Sequence, residues 1–203
     1  YIPFALSIIS LVIFLTKVKL SEKAHAEIVD ELTAKLAAGQ SSLTEDEPAS
    51  SSQIATKVLA PVDGELIPMD QVEVNGQPFQ GTGFAIKPTD GHIYAPFDGR
   101  IVFTFSTKHL IGLVSGQGLE AIIHIGIDTV NLNGQGFVSH YSDGQTVKAG
   151  DLLMDFDREL IKQHHYADTV IMFFTKPQQL APLPPIEEQP IHHGDLVAEV
   201  KDK

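Results

Sequence analysis

Turn-forming dipeptides that end in glycine punctuate most of this chain, and they limit what it can fold into. Asp63-Gly64, Asn75-Gly76, Asp90-Gly91, Asp98-Gly99, Asn133-Gly134, Asp143-Gly144 and Ala149-Gly150 separate short apolar runs. The Asp-Gly and Asn-Gly pairs each supply a residue that tolerates a left-handed backbone next to one with no side chain, the chemistry of tight turns. The runs between them, such as 100–105 and 121–127, are too short for helices and are β-branched or aromatic. From Val58 onward the pattern predicts an all-β fold, an antiparallel β sandwich or barrel. One internal repeat is visible: Ala-Pro-Val-Asp-Gly-Glu-Leu at 60–66 is echoed by Ala-Pro-Phe-Asp-Gly-Arg-Ile at 95–101. Two copies of one unit predict a duplicated β motif.

The N-terminal quarter reads differently. Residues 1–16, YIPFALSIISLVIFLT, carry no charge. As a helix they would reach about 24 Å at ~1.5 Å per residue, short of a bilayer core of ~30 Å unless residues before Tyr1 complete the span. A chain that starts on Tyr is expected to be a fragment of a longer protein. Residues 1–20 are read as the end of a transmembrane helix, and Lys17 and Lys19 place residues 20–203 on the cytoplasmic side of a bacterial inner membrane. Residues 21–39 predict an amphipathic helix, with Ala24, Ile28, Leu32 and Leu36 on one stripe and Gly39 as its stop. Residues 40–54 are Ser-rich and acidic with little to bury, the composition of a flexible linker. The β-rich domain is placed at 55–180, and the Pro-rich, charged stretch 181–203 is expected to be a tail, ordered at most in part.

Composition narrows the function. The net charge of −12 repels nucleic acid and favours basic protein partners. The absence of cysteine rules out disulfides and thiolate metal sites. His192-His193 has no third ligand nearby, so no metal site is assigned, and no motif for a cofactor is present. The turn DGQTVKAGD around Lys148 looks like that of biotinyl and lipoyl carrier domains, but lacks the methionine beside the lysine.

The stretch Ala121-Ile122-Ile123-His124-Ile125-Gly126-Ile127 holds the most informative histidine. On a strand, Ile123, Ile125 and Ile127 would face one way, into the core, and Ile122, His124 and Gly126 the other. A histidine beside a bare glycine can be approached closely. A satisfied core or surface histidine is the alternative on residues alone.

The whole stretch 118–130, GLEAIIHIGIDTV, resembles the phosphorylation-site signature of glucose-class enzyme IIA domains of the bacterial phosphotransferase system. APVDG (60–64), GFAIKPTDG (83–91), APFDG (95–99), TKH (107–109) and DGQTVKAGDLLMDFD (143–157) are similar to further pieces of that family, in order. The resemblance implies an antiparallel β sandwich, with His124 as phosphoryl acceptor, His109 as its active-site companion and Thr107 orienting His109. It implies the phosphocarrier protein HPr as donor, Asp128 as a docking acid near the site, and Phe105 and Ile122 on an apolar docking face, with a place in the core as the alternative for either. Gly126 lets local backbone approach the His124 ring. The segment 72–79, VEVNGQPF, is shorter and more polar than the corresponding stretch of the family.

The first 32 residues resemble the last transmembrane helix and cytoplasmic extension of galactoside–pentoside–hexuronide:cation symporters, whose lactose permeases carry a IIA-like domain at the C-terminus. The resemblance implies a membrane-embedded sugar symporter domain in the same chain, with the IIA domain regulatory rather than enzymatic. The IIA domain of a true phosphotransferase permease, passing phosphate to a IIB cysteine, is the second reading; the IIA motifs do not separate the two.

Overall fold

The computed structural model describes residues 55–74 and 76–203. The expected membrane segment, amphipathic helix and linker lie outside the described residues. Among the described residues no helix is long and apolar enough to cross a membrane.

The fold is built almost wholly from short antiparallel strands, as the turn dipeptides require. They are β1 (Thr56–Leu59), β2 (Gly64–Ile67), β3 (Glu73–Val74), β4 (Gln77–Pro78), β5 (Gly83–Pro88), β6 (His92–Tyr94), β7 (Gly99–Thr104) and β8 (Leu110–Ser115). Then follow β9 (Glu120–Ile125), β10 (Phe137–Ser139), β11 (Thr146–Val147), β12 (Leu152–Phe156), the helix α1 (Arg158–Gln163), β13 (Val170–Phe174), β14 (Gln189–Ile191) and β15 (Leu196–Val200). An eight-stranded sheet runs β11-β7-β8-β9-β13-β5-β2-β14. A three-stranded sheet runs β10-β12-β6, and β1-β15 and β3-β4 pair separately. One core cluster joins Ile86, Ile111, Ile123 and Met172 of the large sheet with Ile93, Met154, Val58 and Val200 of the smaller ones. The sheets therefore close on common apolar surface, which supplies most of the drive to fold.

The Ala-Pro-x-Asp-Gly repeat marks two equivalent corners. Leu59 N–H donates to Pro96 O at 2.8 Å, and Tyr94 N–H donates to Pro61 O at 2.8 Å. Gly64 and Gly99 each press on a neighbouring strand: a Cβ would lie 2.1 Å from Lys87 O and 2.3 Å from Val114 O respectively. No side chain fits at either corner, so glycine is required for contact rather than for φ.

The same pairing corrects the expectation for the C-terminus. The stretch 181–203 was expected to be a tail; its latter part is two strands of the folded body. Ile191 pairs with Gly64 just as Val147 pairs with Gly99. Ala60 N–H donates to Asp195 O and Ala95 N–H to Asp151 O, both at 2.8 Å. The residues 189–200 thus form the partner of the first corner as 145–156 form that of the second. Ile191, Ala198 and Val200 are buried, which gives an apparently polar stretch enough apolar contact to order it.

Candidate functional site

β9 is the centre of the site. It runs between β8 and β13, so His124 stands opposite Leu110 on one side and Ile171 on the other. Ile123 and Ile125 enter the main core as the alternation predicts. Ile127 does not follow them. The chain leaves the strand at Gly126, whose φ of 74° is left-handed, and Ile127 packs instead with Phe79, Phe173 and Ile171 in a second cluster. Gly126 is itself buried: a Cβ there would lie 2.4 Å from Thr129 Cγ2 and 2.8 Å from Ala167 O. Its bareness serves the turn and its packing.

His109 lies just before β8, and Ile125 N–H donates to its carbonyl at 2.8 Å. The two imidazoles meet edge to face, with ring centroids 5.3 Å apart and planes at 89°. Thr107 Oγ1 lies 2.7 Å from His109 Nδ1. Thr107 is in a turn rather than a strand, so its contact with His109 is a loop feature. Phe105 packs 6.0 Å from the His109 ring and 5.7 Å from Phe103, half-buried.

Both rings are held neutral. Burial pushes the His109 pKa down to about 4. Burial, then the neighbouring His109, pushes His124 down to about 3, and the Gly126 backbone opposes them as a hydrogen-bonding group. Yet His124 Nδ1 is sealed from solvent with no partner of full hydrogen-bond geometry, so Gly126 is a neighbour of the ring rather than a formed bond. The residue as a whole is only half-buried, so the ring is reached from another side.

The other expected site residues divide. Asp128 is exposed on the turn after β9, with a left-handed φ of 62°. Ile122 is only 2% exposed, opposite Gly112 on β8 and Phe173 on β13, and lies beneath the surface. Val72 and Phe79 of the polar 72–79 segment turn inward to the second cluster, where Phe79 meets Phe173 at 5.6 Å. Ile171 and Phe173, which frame this apolar ground beside His124, carry no motif; only strand pairing brings them there. Lys148 forms a surface ion pair, its Nζ 2.9 Å from Asp98 Oδ2. His192 and His193 both lean on Asp63, at 3.6 and 2.6 Å.

Fold and site together define a histidine-centred antiparallel β domain with one ring poised against another. The chain belongs to the family described as phosphoenolpyruvate-dependent sugar phosphotransferase system, EIIA 1, whose model matches residues 56–180. It is similar to a lactose permease of Lactobacillus helveticus, 48% identical over 208 aligned residues that cover 100% of this chain and 32% of that protein. A lactose permease of Leuconostoc lactis is 46% identical, covering 98% of this chain and 30% of its own length. The chain thus spans about a third of the length of these relatives. Among solved structures, the glucose permease IIA from Mycoplasma capricolum superposes with a TM-score of 0.64 at 36% identity, over 71% of this chain and 95% of its own. The enzyme IIA domain is accordingly of the glucose type.

Proposed function

We propose that this domain accepts a phosphoryl group from phospho-HPr on Nε2 of His124, and that the charge so placed regulates a sugar:cation symporter, a lactose or other galactoside permease, in the same protein. The observation that carries the reading is the neutral, edge-to-face His109–His124 pair. A phosphoryl acceptor needs an imidazole with a free lone pair at neutral pH. Nδ1 is sealed and beyond the reach of a phosphoryl donor, so Nε2 is the nitrogen that must present the lone pair, with the proton on Nδ1. In the transfer the donor's P–N bond breaks and a P–Nε2 bond forms. In this reading the Thr107 hydroxyl, 2.7 Å from His109 Nδ1, is the donor, and the His109 proton sits on Nε2. That N–H is then free to hydrogen-bond the phosphoryl oxygens as charge moves. Exposed Asp128 suits the approach of a basic partner.

Alignment to lactose permeases over nearly the whole chain, residues before 55 included, supports the symporter reading. The likeness to a glucose permease IIA supports the second, a IIA domain that hands phosphate to a IIB cysteine. Two assays separate them. HPr-dependent labelling should give an acid-labile, base-stable phosphoprotein that His124→Ala abolishes; labelling of that variant at the wild-type level overturns the acceptor assignment. In the full-length protein, deletion of residues 55–203 should leave sugar uptake intact and remove its response to HPr. A symporter draws on an ion gradient at a midplane site, and a regulatory domain biases it by a coupling of ~1–3 kcal/mol. Loss of all uptake, with the truncated protein still in the membrane, would mean that His124 is on an obligatory phosphate route.

A further inference from the structure

Lys108 separates Thr107 from His109, and its backbone is left-handed, with φ of 57°. The other non-glycine residues of this kind among the described residues are Asp128, Asn133 and His165. All four lie in the segments that frame the histidine pair: two in the turn after β9, and one in the segment whose Ala167 O accepts from Ile127 N–H. Asp and Asn reach this conformation readily because their side chains bond locally; lysine has no such aid. Something must hold it there.

Two contacts do. Lys108 N–H donates to Phe105 O at 2.8 Å, closing a tight turn. Lys108 Nζ donates to Phe137 O at 3.4 Å, tying the turn to β10, the strand that follows the His124 loop. That loop also packs directly beneath: Gly134, at φ of 84°, would place a Cβ 3.2 Å from Ser106 O. The bend matters for the site. In a straight strand, residues two apart stand about 6.6 Å from each other with parallel side chains. Thr107 Oγ1 and His109 Nδ1 are 2.7 Å apart, a contact that needs the chain curled between them.

We propose that Lys108 is a positioning residue: its left-handed backbone turns Thr107 onto His109, and its ammonium group anchors that turn to the loop after the phosphoryl acceptor. The role rests on the phosphotransfer reading above. Substitutions in the full chain test it. Lys108→Ala keeps the backbone strain and loses the anchor; Lys108→Gly loses both. Onward transfer of the phosphoryl group should therefore be ~5-fold slower in the alanine variant than in the glycine variant, and Lys108→Val, β-branched, slower still by ~10-fold. Nitrogen-15 NMR of the unphosphorylated chain should show one Nε2–H tautomer of His109 in wild type and Lys108→Gly, and a mixture in Lys108→Ala. Equal rates and tautomers in the alanine and glycine variants overturn the proposal, whether or not the valine variant folds. A wild-type chain that HPr does not label counts against the phosphotransfer reading instead, and the tautomer comparison still decides the positioning role.

Discussion

Thr107→Val removes one hydroxyl at nearly constant shape. His109 is only 3% exposed, so water does not replace the partner lost 2.7 Å from Nδ1. Leaving a buried acceptor unsatisfied costs ~1–3 kcal/mol. With valine there, Nδ1 is unpartnered with or without its proton, so the preference for the Nε2–H tautomer is lost, and ~1.4 kcal/mol of lost preference is a tenfold change in the tautomer ratio. Molecules in the wrong tautomer present a lone pair, not an N–H, to the phosphoryl oxygens. Transfer from phosphorylated His124 to an acceptor should fall by ~10-fold, within the range for a single lost donor to developing charge. The assay is rapid quench on phosphorylated protein, with nitrogen-15 shifts of His109 recorded on the same sample. Thr107→Ser should restore both. Wild-type transfer in the valine variant, with His109 still an Nε2–H tautomer, would refute the role of the hydroxyl.

The pair also makes stability depend on pH. His109 and His124 titrate at about 4 and about 3 when folded, below the ~6.5 of an unfolded chain, so the unfolded state binds more protons between those values. Stability contributed by the neutral rings is present above about pH 6.5 and lost as pH falls toward 4. The urea midpoint of wild type should fall more steeply than that of His109→Gln across this window, and parallel curves would show that burial does not hold His109 neutral. Truncation after Glu188 removes β14 and β15, with buried Ile191, Ala198 and Val200, and strips β1 of its only pairing strand among the described residues. The cooperative thermal transition should be lost or moved sharply downward; an unchanged transition would mean that the last strands are dispensable.

Much of the site was legible because its signals are local. The signature 118–130 and the motif TKH single out His124, His109 and Thr107, and the structure brings all three together. The strands at 100–105 and 121–127 were expected within about a residue of β7 and the start of β9. Period-two alternation then misplaced Ile127, because it assumes a straight strand and the turn at Gly126 ends one. Ile122 faces the same way as His124 along β9, yet flanking strands cover it, and alternation does not report what neighbouring strands cover.

The sequence alone determined where the chain turns, because Asp-Gly and Asn-Gly dictate backbone geometry within two residues. It also carried the corner repeat, and a second, fainter echo: Gly150-Asp151-Leu152 recurs as Gly194-Asp195-Leu196. Only the tertiary structure decided what those corners hold. β15 pairs with β1 across almost the whole described chain, and nothing near 189–200 announces a partner so distant. The same is true of the rings: two histidines on neighbouring segments become a neutral pair only when β8, β9 and β13 lie side by side and remove the water around them. Turns are set by the residues that make them. Burial, and with it the protonation state that the chemistry needs, is a property of every strand that packs against the site.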